Sequence, residues 1–251
     1  MATATEHYDK GCRLIIEFIG PSSAGKTTLA VGVAKRLRAN GRRITDHSSP
    51  SSSAFVTIGN AFRTPLMLVP ILGDWPAVSP SLRLAWRGLR PGTGSTFWRA
   101  SRFYAIVRRV GEHSLRRRNG NSICIVDEGL MGSLDLALSG TTVPSRTDLE
   151  SFVAALPLPD LLVRVDAPLE TLVERTLSRC DPPREIRGFS ERLIRERLAR
   201  LQMVFAALDH IPCAATRMLS VWNPPGCAED REREMDRIAH ALLMRLDNDC
   251  Q

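Results

Sequence analysis

The sequence predicts an α/β fold: a doubly wound parallel sheet of about five strands, helices on both faces, and a small lid. Three observations lead there. Short apolar runs alternate with longer segments whose apolar residues recur every three or four positions, the pattern of strands joined by crossover helices. The strand-like runs at 13–19 (RLIIEFI), 122–126 (SICIV) and 161–165 (LLVRV) are apolar nearly throughout, as strands covered on both faces are. Each is followed by Gly or Asp, at the carboxyl end where open α/β sheets gather ligands. With 251 residues, 43% of them hydrophobic, one core is affordable and a second large one is not. A single domain over 1–251 is expected.

Residues 13–19 read as a buried first strand that stops at Gly20. A Gly/Ser turn leads into a helix over 26–39, with Leu29, Val33 and Leu37 on one face and Asn40-Gly41 as its stop. Residues 42–45 suggest a second strand, followed by a Ser-rich loop at 47–53. Between 55 and 98, five prolines (65, 70, 76, 80 and 91) break the chain into short helices and loops. A helix over about 99–118 presents Phe103, Ile106, Val107 and Val110. The strand at 122–126 comes next, and a Pro-Asp turn introduces the one at 161–165. Pro168 opens a helix with Leu169, Leu172, Val173 and Leu177. After an Arg- and Pro-rich excursion at 180–188, Ser190 can cap a long helix with a stripe of Leu193, Ile194, Leu198, Leu201 and Phe205. A last strand at 218–221 precedes a closing helix over 230–246 with Met235, Ile238, Leu242 and Leu246.

Net charge is +7, and all but three of the 34 basic residues are arginines. This balance suits an anionic ligand. A nucleic-acid partner is not expected: aromatics are 6%, acids interleave the bases and no binding motif is present. The six cysteines show no C-x-x-C pair, which argues against a zinc or redox centre and for reduced thiols. Residues 1–10 lack the apolar core of a secretory signal, and the most hydrophobic stretch, 66–72, is too short to span a bilayer. The expectation is a cytoplasmic protein without membrane attachment; a homodimer is compatible with the sequence, which leaves oligomeric state open.

Residues 20–27, Gly-Pro-Ser-Ser-Ala-Gly-Lys-Thr, fit G-x-x-x-x-G-K-[ST] at every fixed position, with a strand before and an amphipathic helix after. In such a P-loop, backbone amides turn inward around phosphate oxygens at the positive end of the helix. Gly20, Ser22, Ser23, Ala24, Gly25, Lys26, Thr27 and Thr28 are the expected nucleotide contacts, Lys26 as the charge on the β/γ phosphates and Thr27 as a Mg²⁺ ligand. A Gly/Ser turn that matches by chance is the competing explanation, and the strand–loop–helix context argues against it.

Asp127, ending the strand at 122–126, is the expected second holder of Mg²⁺, through water; a surface acid at a strand end is the bland alternative. Glu128 is a candidate catalytic base or acceptor contact, or else a solvated loop acid. Asp46, after the second strand, is a candidate base for an acceptor hydroxyl, or else a turn residue. Asp166 can face the site, though helix capping suits it better. Arg175, Arg179, Arg184 and Arg187 surround the excursion, and Arg179 and Arg184 are the preferred lid residues, at 179–189, to close over phosphates and exclude water. An ordinary solvated Arg-rich loop is the alternative.

In this order the features resemble thymidylate kinase and its relatives in the nucleoside-monophosphate-kinase-like group of P-loop proteins. The resemblance covers most of the chain outside 50–95, and only the P-loop is specific in itself. Residues 100–103 (ASRF) are similar to the family segment whose arginine binds the acceptor, which implies that role for Arg102. Residues 159–179 are similar to the family's fourth strand and the helix leading into its lid, and 223–225 (NPP) to the loop that meets adenine, which implies a base contact at Pro225. The resemblance implies ATP and Mg²⁺ as cofactors, a small-molecule acceptor, and acceptor binding by 50–100. One departure matters: the family's Asp-Arg after the third strand is Asp127-Glu128 here. That substitution removes a partner for an acceptor phosphate, so a neutral hydroxyl (nucleoside, sugar or other metabolite) becomes credible, unless Arg63, Arg87, Arg99 or Arg102 supplies the charge.

The expected activity is transfer of the γ-phosphate of ATP to a small acceptor. The alternative is a P-loop ATPase or nucleotide switch acting on a protein partner, which the acidic pair after an apolar strand also suits. Residues 138–140 (LSG) resemble a transporter-ATPase signature but follow the acidic strand instead of preceding it, and no N-K-x-D motif supports a GTPase.

Overall fold

A computed structural model describes residues 14–46, 96–119, 122–127, 129–134, 145–180, 182, 186–226 and 228–249, without the side chains of 46, 96–104, 118–119 and 246–249. Residues 50–95 of the insertion expected at 50–100, the 138–140 segment, Glu128 and Arg184 lie outside the described residues.

In chain order the elements are β1 (Ile15–Ile19), α1 (Lys26–Ala39), β2 (Ile44–Asp46), α2 (Thr96–Asn119), β3 (Ile123–Asp127), a 3-10 turn (Met131–Ser133), α3 (Arg146–Ala154), β4 (Leu161–Asp166), α4 (Leu169–Leu177), α5 (Glu191–Ala207), a second 3-10 turn (Leu208–His210), α6 (Pro212–Ala215), β5 (Met218–Trp222) and α7 (Ala228–Asp249). The strands form one parallel sheet in the order β2-β3-β1-β4-β5. A strand that is first in sequence and central in space requires crossovers to both sides, the defining trait of a doubly wound sheet. A five-stranded parallel sheet with helices packed on both faces is the doubly wound α/β fold that the sequence predicts.

Alternation along β1 and β4 sorts the core into two layers. Ile16 and Phe18 of β1, with Leu161, Val163 and Val165 of β4, pack beneath α1 (Leu29, Val33, Leu37) and α7 (Ile238, Leu242). Ile19 and Leu162 face the opposite side, against Ile106 and Val110 of α2, Leu149 and Phe152 of α3, and Leu201 and Phe205 of α5. Burying such side chains, at roughly 1.5–3 kcal/mol each, supplies the main driving force for the fold. At the amino end of the sheet, Asp160 accepts from the Ile15 N–H at 2.8 Å and from Arg117 Nη2 at 3.0 Å, which fixes where β1 starts beside β4.

Helix α1 has the predicted bounds, and Asn40-Gly41 ends it: Gly41 takes φ 76° and the Arg42 N–H reaches back to Leu37 O at 3.0 Å. Other elements depart from expectation. Helix α2 begins three residues earlier, and β2 is shifted to Ile44–Asp46. Leu193, expected in the α5 stripe, is exposed, and Val204 is buried among the α5 core residues. Ser190 occupies the cap position of α5 without a side-chain cap bond. Helix α3 has no counterpart among the expected elements, yet its signal is present: the Ser145 hydroxyl accepts from the Asp148 N–H at 3.1 Å, three residues on, as in a helix cap. No helix among the described residues is long and apolar enough to cross a membrane.

Candidate functional site

The site starts where β1 runs out of side chain. Gly20 leaves the strand at φ 139°, and a Cβ there would lie 2.0 Å from Val165 O, so the chain can pass that close to β4 only without a side chain. The loop then curls through Ser23, at φ 65°, and Gly25, at φ 96°, into the first turn of α1. Two bonds from distant parts of the chain hold this curl. Asn223 Nδ2, after β5, donates to Ala24 O at 2.7 Å, and the buried Thr176 hydroxyl of α4 donates to Ser23 Oγ at 2.9 Å. A Cβ at Gly25 would meet Asn223 Nδ2 at 2.4 Å. The second glycine is thus required by both its conformation and its brace.

Lys26 is buried, and its ammonium donates to Gly20 O at 3.1 Å and Pro21 O at 2.8 Å. The positive charge is therefore held inside the loop's own curl, at the amino end of a 14-residue helix that has no acid in its first turn. Backbone amides, the positive helix end and an ammonium converge there, a set of donors that favours phosphate. Thr27 and Thr28, next along the helix, are exposed.

Asp127 ends β3 in register with Phe18 of β1, and its Oδ2 accepts a hydrogen bond from the Thr27 hydroxyl. A hydroxyl and a carboxylate in contact beside a phosphate cradle are the hard oxygen donors that suit Mg²⁺. Among the described residues no cluster of three or more His, Cys, Asp or Glu offers a different metal site.

On the outer side of the P-loop lies a cleft of about 280 Å³ lined by Ser23, Gly25, Thr28, Arg175, Arg179 and Asn223, with Arg231 of α7 at its edge. Arg175 reaches across it to Asn223 O and Pro224 O at 3.5 and 3.3 Å. Burial, and then the nearby charge of Arg231, push the Arg175 guanidinium below its ordinary pKa. Three arginines at one cleft make it a place for an electron-rich or anionic group.

The sequence-derived candidates are not all in one place. Gly20, Ser22, Ser23, Ala24, Gly25, Lys26, Thr27, Thr28 and Asp127 converge at the carboxyl ends of β1 and β3, and Arg179 stands at the adjoining cleft. Pro225 is exposed and does not line the cleft; Asn223, two residues earlier, does. Asp46 is the last residue of β2 and pairs with Ile125, so its backbone stops two residues short of the level of Asp127. Arg102 lies on α2, with its side chain outside the described residues. Asp166 does not cap a helix: the cap position of α4 is Pro168, and Asp166 Oδ1 instead accepts from Gln202 Nε2 at 2.7 Å and the Ala167 N–H at 2.8 Å. In the expected lid, Ile186 is buried in the sheet core, so a turn at 186–188 is anchored.

Two polar residues beside the site have no counterpart among the sequence-derived candidates. Thr176 reads in sequence as one more helix residue, and only the fold brings it to Ser23. Glu17 did carry a signal, as the one charged residue in an otherwise apolar strand. It is 1% exposed, and burial raises its pKa against the lowering effect of the Gly132 and Met131 N–H groups and of Arg109 and Arg116.

No protein-family model matches the chain, and no curated protein sequence matches it. Among solved structures it is similar to thymidylate kinase from Ehrlichia chaffeensis, with 13% sequence identity, 91% of this chain and 98% of that chain covered, and a TM-score of 0.48.

Proposed function

We propose that this chain is a phosphotransferase that moves the γ-phosphate of ATP to a small-molecule acceptor. The observation that carries the reading is the convergence of a braced P-loop, the buried Lys26 ammonium and the Thr27–Asp127 pair at the end of the central strand. Phosphoryl transfer asks a protein mainly to position reactants and neutralise charge, and this set of groups is built for both.

In this reading the P-loop amides and Lys26 hold the triphosphate. On arrival, Lys26 exchanges its bonds to Gly20 O and Pro21 O for phosphate oxygens, so the ammonium is desolvated beforehand. Thr27 and Asp127 would hold Mg²⁺, which when bound neutralises the triphosphate and screens its charge from the incoming nucleophile. The base and ribose would occupy the cleft that Thr28 and Arg179 line, where Arg175 is tied to the loop after β5. Glu128 and Asp46 remain candidates for the proton-accepting role, Arg102 for acceptor binding, and Arg184 for lid closure. A hydroxyl acceptor fits the acidic pair Asp127-Glu128 better than a phosphate, because a second anion would meet two carboxylates.

The test is incubation with Mg²⁺ and γ-labelled ATP in the presence of pools of nucleosides, mononucleotides, sugars and amino alcohols, with Lys26→Ala as control. Label in an acceptor, lost with the variant by a factor on the order of 10² or more, is the expected result. Label released only as inorganic phosphate across all pools, and equally by the variant, would sink the proposal. Lys26-dependent release of phosphate without transfer would point to an ATPase working on a protein partner.

A further inference from the structure

We propose that Glu17 is a positioning residue whose buried carboxylate clamps the turn after β3 and so fixes the chain that follows Asp127; the inference rests on the phosphotransfer reading above. Ile16 and Phe18 face the α1 layer, so alternation turns Glu17 to the opposite face, toward α2. There Oε1 accepts from the Gly132 N–H at 2.8 Å. The backbone of Gly129 passes so near that a Cβ would meet Glu17 Cδ at 2.8 Å and Oε2 at 2.9 Å. Glu17 also pairs with Val126 across the ladder, one residue before Asp127. The chain is thus held by the sheet up to Asp127 and by the carboxylate from Gly129 to Gly132.

A purely structural need does not explain a carboxylate here. Every other residue of β1 is apolar, and replacing a buried ion with a hydrophobic side chain is often neutral or stabilising. The charges of Arg109 and Arg116 of α2 act on this carboxylate, and among the described residues Arg109 Nη1 is buried without a hydrogen-bond partner. A polar cluster kept at the centre of a core, beside the turn that follows Asp127, has the form of a stability sacrifice made for a site.

The experiment compares Glu17→Leu and Glu17→Gln with the parent protein by thermal melting, amide exchange at Gly132, the Mg²⁺ concentration needed for half-maximal nucleotide binding, and transfer kinetics. For Glu17→Leu we expect a melting temperature equal to or above the parent's, Gly132 exchange faster by at least about tenfold, and a higher Mg²⁺ requirement. Its kcat should fall on the order of 10²-fold, the effect of a misplacement near 1 Å, with KM for ATP within about twofold. Glu17→Gln keeps the acceptor oxygen and should recover most of the exchange protection and kcat. Unchanged Gly132 exchange and Mg²⁺ requirement in Glu17→Leu would overturn the proposal. So would a loss of kcat that merely follows a fall in melting temperature and in nucleotide affinity. A parent protein that binds nucleotide with Mg²⁺ but transfers nothing counts against the phosphotransfer reading alone, and the exchange and Mg²⁺ arms still decide the role of Glu17.

Discussion

Gly20 and Gly41 both adopt left-handed backbone, yet they carry different burdens. At Gly20 a side chain would collide with the Val165 carbonyl, whereas at Gly41 nothing lies within 4 Å. Gly41→Ala should therefore cost only the conformational penalty, about 1–2 kcal/mol, while Gly20→Ala should cost on the order of 4 kcal/mol or prevent folding; urea unfolding of the two variants measures the contrast. Asn223→Ala removes the brace on Ala24 O and leaves a buried carbonyl unpaired. It should lower stability by about 1–3 kcal/mol and weaken nucleotide binding measured by titration, whereas Pro225→Ala should leave nucleotide binding within about twofold. His113 supplies a pH signature. It is buried in α2 and accepts from Arg117 Nε at 3.3 Å; burial, then the charges of Arg117 and Arg116, lower its pKa from 6.5 to about 3. Below pH 6.5 the unfolded chain takes up a proton that the folded chain refuses, so this contribution to stability is intact above 6.5 and is lost progressively toward pH 3. The slope approaches ~1.4 kcal/mol per pH unit. Glu17, with its raised pKa, acts in the opposite direction, losing stability as pH rises through that pKa. The isolating measurement is therefore the difference in pH dependence between the parent and His113→Gln, which should vanish above pH 7 and grow as the solution is acidified.

Helices α1 and α7 pack at a place made by one missing side chain. A Cβ at Gly32 would meet Met235 Sδ at 2.1 Å, and beside this contact Arg36 forms ion pairs with Glu232 and Asp236 that raise its own pKa. Gly32→Ala should destabilise by about 1–3 kcal/mol through overpacking. Because the obstruction is a flexible thioether, Met235→Ala in the same background should recover part of that loss, a positive coupling that a double-mutant cycle in denaturant reads directly. The same helices show what a sequence discloses. The bounds of α1 were readable because its start is a motif and its stop is Asn40-Gly41, both local. Helix α3 has equally local signals in Ser145, Asp148 and the apolar Leu149, Phe152 and Val153, but it is short and adjoins no motif. Leu193 and Val204 were exchanged because periodicity fixes the width of a buried stripe and not its edge. The P-loop was legible as eight contiguous residues, and Asp127 because an apolar strand ends in it. The braces were not: Asn223 on Ala24, Thr176 on Ser23 and Glu17 under Gly132 each join positions more than a hundred residues apart. No spacing rule reaches that far.

Across the whole molecule the sheet order places the loop at 20–27 at the centre, between β3, which delivers Asp127, and β4, which leads into the helix carrying Arg175. Each half of the sheet thus contributes one wall of the site, and ligand binding should stabilise both halves together. Saturating ATP with Mg²⁺ at 100 times its Kd should raise unfolding free energy by about 2.7 kcal/mol, seen as a single shifted melting transition; the Lys26→Ala variant should show little shift. The central place of β1 also has a consequence in time. Its partners on both sides, Cys124 beside Ile15 and Leu161 beside Ile16, are encoded more than a hundred residues later. At ordinary translation rates the strand IIEFI leaves the ribosome on the order of ten seconds before any neighbour exists to pair with it. For that interval the most apolar strand of the fold is an open edge, and Glu17 is the only charge along it. Glu17, which accepts from the Gly132 N–H in the finished protein, would in the nascent chain be the charge that opposes premature association.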